Sequence, residues 1–341
     1  MNIKSIKRYE PLNRFFDNQS DGWIGSDVCH SIDLGNEKIL YLFGDTLIGK
    51  SFNHIRSKDF NMINNSVGIM TLNKEAPVNI SFHWKNDNGA RSIFKQPQNL
   101  IGDFLWPTNG IIYDDSLYIF CMAVNSTPDF SIDIEGTIIV KVKNYLDDPN
   151  QWCTEYWDFE FSGGIIHSGI YMKNNWLYFL GAKTNVFENN MILARMGKDQ
   201  IARKACSEEL KFYTRKGKWS AEINEAKSMF FPGNSESNIY FQKKSETYFT
   251  TTYVPKNNKM YLLSSKKLSG PWSRPKHIYT IPECEKKFSV VSYAMRIHSW
   301  ISDINDSLVI SYATNEFGGM DNLFTHDGYN IYRPYFIEVQ L

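Results

Sequence analysis

The chain predicts an all-β fold, a five-bladed β-propeller of four-stranded antiparallel blades, and three observations carry that prediction. A strand-like pentapeptide recurs five times, tryptophans recur near the ends of the same units, and no segment shows a convincing helical period. The pentapeptides are Ile39–Phe43, Ser116–Phe120, Trp176–Leu180, Glu246–Thr250 and Ser307–Ser311. Their second residues stand 77, 60, 70 and 61 positions apart, a spacing that suits a four-stranded blade with its loops. Trp84, Trp152, Trp219 and Trp272 supply the second register, the last two in similar turns. Scattered aromatic strands of a β-sandwich are the alternative, but a sandwich has no reason to keep two registers through five units.

Taken in order, the N-terminal Ile3–Leu12 is expected to lie against the last strand, Ile331–Gln340, because an unclosed ring would leave an unpaired strand edge. The blades fall at about 22–90, 91–160, 161–225, 226–280 and 281–341, one domain over 1–341. In the first, two adjacent antiparallel strands join at Leu34-Gly35-Asn36-Glu37, and the strand Lys38–Phe43 ends at Gly44-Asp45-Thr46, where a glycine lets the backbone turn. Asp27 and Asp45 then stand at the same end of one hairpin. The one helix-like piece is Asp199–Leu210, and the loops Ser51–Met62, Asn125–Glu135 and Gly318–Tyr329 are expected to shape a cleft mouth.

Charge excludes some functions. With 37 basic and 37 acidic residues in 341 the net charge is zero, so no global field draws the chain to nucleic acid or to an anionic membrane. Aromatics at 15% suit both a β core and a glycan cleft. Cys29, Cys121, Cys153, Cys206 and Cys284 are odd in number and show no C-x-x-C spacing, which argues against a disulfide framework and reads as buried thiols. Met1–Phe16 lacks the apolar core of a signal peptide, and no apolar run is long enough to span a membrane. A soluble monomer is the default reading, and the compartment stays open.

If the innermost strands of a propeller start near its axis, residues just before the repeated pentapeptides meet at one face. Asp27, His30 and Asp45 come from the first blade, Trp106, Thr108 and Asn109 from the second, and His167 and Ser168 from the third. Glu236 and Ser237 come from the fourth, and Tyr293, Arg296, His298 and then Asn315 from the fifth. Such a set suits a polar, hydroxylated ligand. Plainer readings stand beside it: Asp45 as a turn former, Asp27 as a strand-entry cap, Glu236 as a solvated loop residue, Trp106 as inter-blade packing. Arg296 could clamp an anionic ligand or pair Asp27 or Glu236. His167-Ser168 lacks the G-x-S-x-G elbow of a serine hydrolase.

The combination of Ser26-Asp27, Leu42-Phe43-Gly44-Asp45-Thr46, Asn65-Ser66, Ser235-Glu236-Ser237, Gly270-Pro271-Trp272-Ser273 and Tyr293-Ala-Met-Arg-Ile-His-Ser-Trp300 resembles the domain-of-unknown-function propellers that include bacterial endo-D-arabinanases, over about Gly22 to Asn315. It is similar in architecture to arabinanase, fructosidase and xylosidase propellers. The resemblance implies hydrolysis of furanose-rich glycans by two aspartates and a glutamate. It also implies substrate contacts for His30, Asn65, Trp106, Asn109, His167, Ser168, Tyr293, Arg296, His298 and Asn315. No cofactor is required, and a structural cation at His298 is the one ion it suggests. The sequence departs from the wider pattern at Trp106-Pro107-Thr108-Asn109, where an aspartate is common.

Glycoside cleavage needs one carboxylic acid to protonate the leaving oxygen and one carboxylate to attack or to activate water. Asp27 is assigned as base or nucleophile and Glu236 as general acid, its proton retained by the apolar neighbours Phe230, Phe231 and Ile239. Asp45 orients substrate or separates the proton affinities of the pair. Two rival readings remain, a non-catalytic glycan- or protein-binding propeller and a sialidase-like exo-glycosidase. The second needs an arginine triad and repeated S-x-D-x-G-x-x-W boxes, which the ten arginines and the tryptophan turns do not provide.

Overall fold

The computed structural model describes the chain except residues 1, 18, 128–131, 160–164, 183–188, 205–206, 255–256, 286–288 and 317–318. Cys206 and parts of the loops expected at 125–135 and 318–329 lie outside the described residues.

Five antiparallel sheets follow one another along the chain. The first comprises His30–Gly35, Lys38–Phe43, Ser66–Asn73 and Ala76–His83, and the second Phe104–Tyr113, Ser116–Asn125, Asp133–Val142 and Thr154–Asp158. The third runs from Ile165–Lys173 through Trp176–Ala182, Asn189–Gly197 and Lys211–Tyr213 to Trp219–Ser220, with Phe230–Gly233 added on Asn189–Gly197. The fourth holds Tyr240–Gln242, Thr247–Tyr253, Lys259–Ser265 and Lys276–Thr280. The fifth holds Val290–Ile297, Leu308–Glu316 and Tyr335–Gln340, and its outer strand is the N-terminal Ser5–Arg8, in register from Ser5 opposite Gln340 to Arg8 opposite Ile337.

Each sheet packs on the next. Leu40 and Leu42 share a cluster with Leu117 and Ile119, Phe120 and Tyr118 with Phe179 and Leu177, Leu180 and Leu193 with Tyr248 and Leu263, and Phe249 and Met260 with Ile310 and Leu308. Val309 and Phe336 of the fifth sheet then pack on Tyr41 and Phe43 of the first. This is why the pentapeptides were legible. Each falls on the second strand of its sheet, which is largely buried on both faces, so most read as continuous apolar runs rather than alternating ones, the polar exception being Thr247–Tyr253; Ser116–Val124 is buried throughout. The expected innermost strand is therefore the one before it, and the candidate site residues lie on or beside those first strands.

Three local expectations change. Only Ser5–Arg8 of the N-terminal stretch is strand, and Glu10–Asp17 is a helix with Pro11 in its first turn and Leu12 and Phe16 buried beneath the fifth and first sheets. Asp199–Leu210 contains two short 3-10 turns, Lys198–Arg203 and Ser207–Glu209, while Ser299–Asn305 is a helix that the sequence did not announce. Ser51–Met62 is not an open loop. Thr46–Phe52 and Ile55–Ile63 form a hairpin that pairs with Asp21–Ser26 in an additional three-stranded sheet.

That additional sheet is locked to the chain's C-terminal region by Arg56, 1% exposed, whose five N–H groups donate to five carbonyls: Ile24 at 2.8 Å, Leu323 and Gly328 at 3.0 Å, Tyr329 at 3.3 Å and Ile331 at 2.7 Å. Phe60 stacks on Phe324 beside it, with ring centroids 4.7 Å apart.

Candidate active site

The first hairpin does what its sequence predicts. Asp27 precedes the strand His30–Gly35 and Asp45 follows Lys38–Phe43, and the Asp27 amide donates to the Asp45 carbonyl at 3.1 Å. Gly44 is required for a different reason from the one expected. Its φ is not in the left-handed region, but a Cβ there would stand 2.4 Å from Asp27 Oδ1. The glycine makes room for the carboxylate.

The fifth sheet supplies the next anchors. Its first strand has a bulge between Tyr293 and Arg296, where Ala294 takes a φ of +52°. Tyr293 donates its hydroxyl to Asp27 Oδ2 at 3.2 Å, and the bulged Ala294 amide donates to Glu236 Oε2 at 3.1 Å. Tyr253 adds a second donor to Glu236 Oε2 at 3.4 Å. The bulge thus binds a carboxylate from the first sheet and one from the segment leading into the fourth. Asp45 Oδ1 accepts from Trp106 Nε1 at 2.8 Å and from Asn64 Nδ2 at 3.4 Å. Asn64, Tyr253 and Ala294 were missed by sequence reasoning. A backbone donor has no sequence signal, and Asn64 was passed over beside Asn65.

All three carboxyls hold protons more firmly than usual. Burial is the main cause for each, and Asp27 is raised well above the ordinary range because Asp45 and Glu236 also repel its charge. Burial pushes Asp45 up to about 6 against the donations of Trp106 and Asn64. Glu236, 7% exposed, is raised less severely, since Arg296, the Ala294 amide and Tyr253 favour its charged form. Burial does raise Glu236 as expected, but not through Phe231, which is 57% exposed. Tyr332, also unforeseen, lies within electrostatic reach of Asp27 and Asp45, and burial together with those two charges pushes its phenol well up.

The expected substrate contacts divide sharply. Trp106 and Tyr293 are half-buried and touch the carboxylates. Asn65 is a strut: its Nδ2 donates to the Phe94 and Leu105 carbonyls at 3.0 and 2.9 Å, and its Oδ1 accepts from the Phe94 amide at 2.8 Å. Asn109 is 3% exposed, with Nδ2 on the Ser168 carbonyl and Oδ1 on the Gly110 amide. His30, His167, Ser168, Arg296 and His298 are all buried in a polar hub where the first strands meet. Asn315 Oδ1 accepts from the amide of Glu316 at 2.7 Å. For these residues the tightly packed interior, rather than an open pocket, accounts for the polarity.

The cation implied at His298 finds no cluster to hold it: His298 Nδ1 is bonded to the Ser31 hydroxyl at 2.7 Å and its buried Nε2 has no partner, but no three His, Cys, Asp or Glu side chains among the described residues are grouped to hold a metal. The guanidinium of Arg296 is close enough to lower the proton affinities of His30, His167 and His298.

Known structures share this fold. A crystal structure from Bacteroides ovatus, described as a candidate hydrolase, is 19% identical, aligns over 98% of this chain and 90% of its own, and has a TM-score of 0.77. A GH43_1 enzyme from Xanthomonas citri aligns over 97% and 92% at 10% identity, and the RS223 β-xylosidase over 98% and 94% at 11%, each with a TM-score of 0.50. At these identities the likeness shows a propeller-like fold. No curated protein sequence matches, and among the described residues no helix is long and apolar enough to cross a membrane. The family described as domain of unknown function DUF5005 matches residues 10–341, nearly the whole chain, and this protein belongs to that family.

Proposed function

We propose that the protein is a glycoside hydrolase that cleaves a furanose-containing, arabinan-like glycan on a single five-bladed propeller. Five successive meanders packed each on the next support the blade count. The observation that carries the chemistry is the bulge at Tyr293-Ala294, which pins Asp27 and Glu236 from segments leading into different sheets through adjacent residues, with Asp45 beside Asp27. Three carboxyls in one buried site cannot all ionise near neutrality, so one is available as an acid while another is charged. Glu236 is the general acid: burial raises it, and it enters from a separate sheet. Asp27 is the base or nucleophile, with Oδ2 held by Tyr293 and Oδ1 carrying no protein donor. Asp45, fixed by Trp106 and Asn64, orients the sugar and raises Asp27.

Structures of the same fold support this reading, among them a GH43_1 enzyme and a β-xylosidase. The finer assignment to D-arabinan rests on the motif resemblance. The protein and its Asp27→Asn variant are incubated with D- and L-arabinans, galactans and fructans, and released oligosaccharides are measured. Cleavage by the parent alone ties hydrolysis to Asp27, and product sizes distinguish endo from exo action. Binding without cleavage by the parent sinks the hydrolase in favour of a glycan-binding module.

A further inference from the structure

Behind the carboxylates lies a buried charge that sugar cleavage does not itself require. Arg296 is 0% exposed, and its Nη1 donates to His30 Nδ1 at 3.4 Å and to the Ser168 carbonyl at 3.5 Å. Its Nε and Nη2 are buried with no partner in the protein. No carboxylate stands within ion-pair distance of it among the described residues, and both of its hydrogen bonds go to neutral dipoles, while Glu236 acts on it through charge. The hydrogen bonds define those dipoles. Thr108 donates its hydroxyl proton to the Phe120 carbonyl at 3.0 Å, so toward His167 Nδ1 it acts as an acceptor. His167 therefore carries its proton on Nδ1, and its buried Nε2 is an unpartnered lone pair. His30 Nδ1, which accepts from Arg296, is a lone pair too. Burial and the guanidinium charge hold both imidazoles neutral, and His167 falls to about 3. Burial lowers Arg296 only to about 10, so it stays charged near neutrality.

Two imidazole lone pairs and a carbonyl from the first and third sheets thus share the hub with one fixed cation from the fifth. We propose that Arg296 is the resident cation of the hub, a covalently attached replacement for a bound metal ion, and that its charge, fixed at the end of the bulge whose Ala294 amide holds Glu236, tunes that carboxyl. The groups that face Glu236 are Tyr253, the Ala294 amide, Asp27, Tyr293 and Arg296, and of these five only Arg296 is cationic. A metal ion in the same hub would have to displace or repel the guanidinium. The tuning of Glu236 rests on the hydrolase reading for its importance, but neither part of the test needs activity.

The test has two arms. First, the purified protein is analysed for metal content and melted before and after dialysis against a chelator. The expected result is no stoichiometric divalent cation and an unchanged Tm; a bound equivalent, or a Tm lowered by chelation and restored by the metal, overturns the proposal. Second, the carboxyl titration of Glu236 is followed by carbon NMR in the parent, Arg296→Met and Arg296→Lys. Loss of the charge in Arg296→Met moves the midpoint up by about one unit, and Arg296→Lys returns it toward the parent. Equal midpoints in all three folded proteins overturn the tuning. If Arg296→Met does not fold, the metal analysis and the lysine variant still decide, since a lysine midpoint shifted as far as one unit contradicts control by charge. Should the glycan panel show no cleavage, both arms can still be read.

Discussion

Tyr293 donates its hydroxyl to Asp27 Oδ2 at 3.2 Å from one side of a bulge whose next amide, Ala294, holds Glu236. The hydrogen bond lowers Asp27's proton affinity against the larger effect of burial. Tyr293→Phe removes it and leaves Ala294 in place, so Asp27 ionises at still higher pH. If Asp27 is the base, the acidic limb of kcat/KM moves up by about one unit, and the rate on that limb falls about tenfold. A pH–rate profile checks this; an unmoved limb would detach Tyr293 from the ionisation that matters.

Asp45 is pushed up to about 6 from an ordinary 3.8. A carboxyl raised in the fold binds its proton longer than in the unfolded chain, so between about pH 4 and 6 the native state holds more protons and stability falls as pH rises. Asparagine cannot ionise, and its oxygen can still accept from Trp106. Asp45→Asn is expected to be more stable than the parent above pH 6, by on the order of 1–2 kcal/mol, while losing activity. Melting curves at pH 4.5 and 7.5 test it, and the same gain at both would refute the ionisation argument.

Gly35, the last residue of His30–Gly35, and Gly44, just past Lys38–Phe43, sit at opposite ends of the first hairpin, and their alanine variants should behave differently. Gly35 has open space around its Cβ position but a φ of +73°, so Gly35→Ala costs about 1 kcal/mol of stability and leaves activity near the parent's. Gly44→Ala drives a methyl into Asp27 Oδ1 and displaces the carboxylate, with an expected loss of about 100-fold in kcat. Comparable activities for the two would show that Asp27 tolerates displacement.

Arg56 leaves five buried carbonyls unpaired when truncated. Arg56→Ala is expected to cost on the order of 3–5 kcal/mol and to expose amides around Leu323–Ile331 to hydrogen exchange before the rest of the chain. Uniform exchange across all sheets would instead mean that Arg56 supports the whole fold.

The roles of Asp27 and Glu236 separate by leaving group. Glu236→Gln should lose most activity on natural glycans but keep it on aryl glycosides whose leaving group needs no proton, whereas Asp27→Asn should lose both by about 100-fold or more. The reverse pattern would exchange the two roles, a result compatible with Asp27 being the more strongly raised carboxyl.

Much of the fold could be read from residue order alone because burial on both faces writes itself as an unbroken apolar run. Leu117–Val124 is such a run, and it repeats at the spacing of a sheet. The Asp27–Asp45 hairpin was equally legible, since a turn and two strand lengths fix which ends coincide. Short helices such as Glu10–Asp17 were not, because eight residues hold little period and their stability comes from docking Leu12 and Phe16.

The sequence by itself determined the second strand of each of the five sheets and the pairing of the first hairpin, with Asp27 and Asp45 at one end of it. Only the tertiary structure decided which polar residues stay partly exposed beside the carboxylates and which are buried beneath them. His30, His167, Arg296 and His298 have the same character in sequence as Trp106 and Tyr293, yet they fill a closed hub. The reason is that exposure, and with it proton affinity, depends on how strands from separate sheets converge, and so does a donor such as the Ala294 amide. Those are long-range relationships that no local pattern of residues encodes.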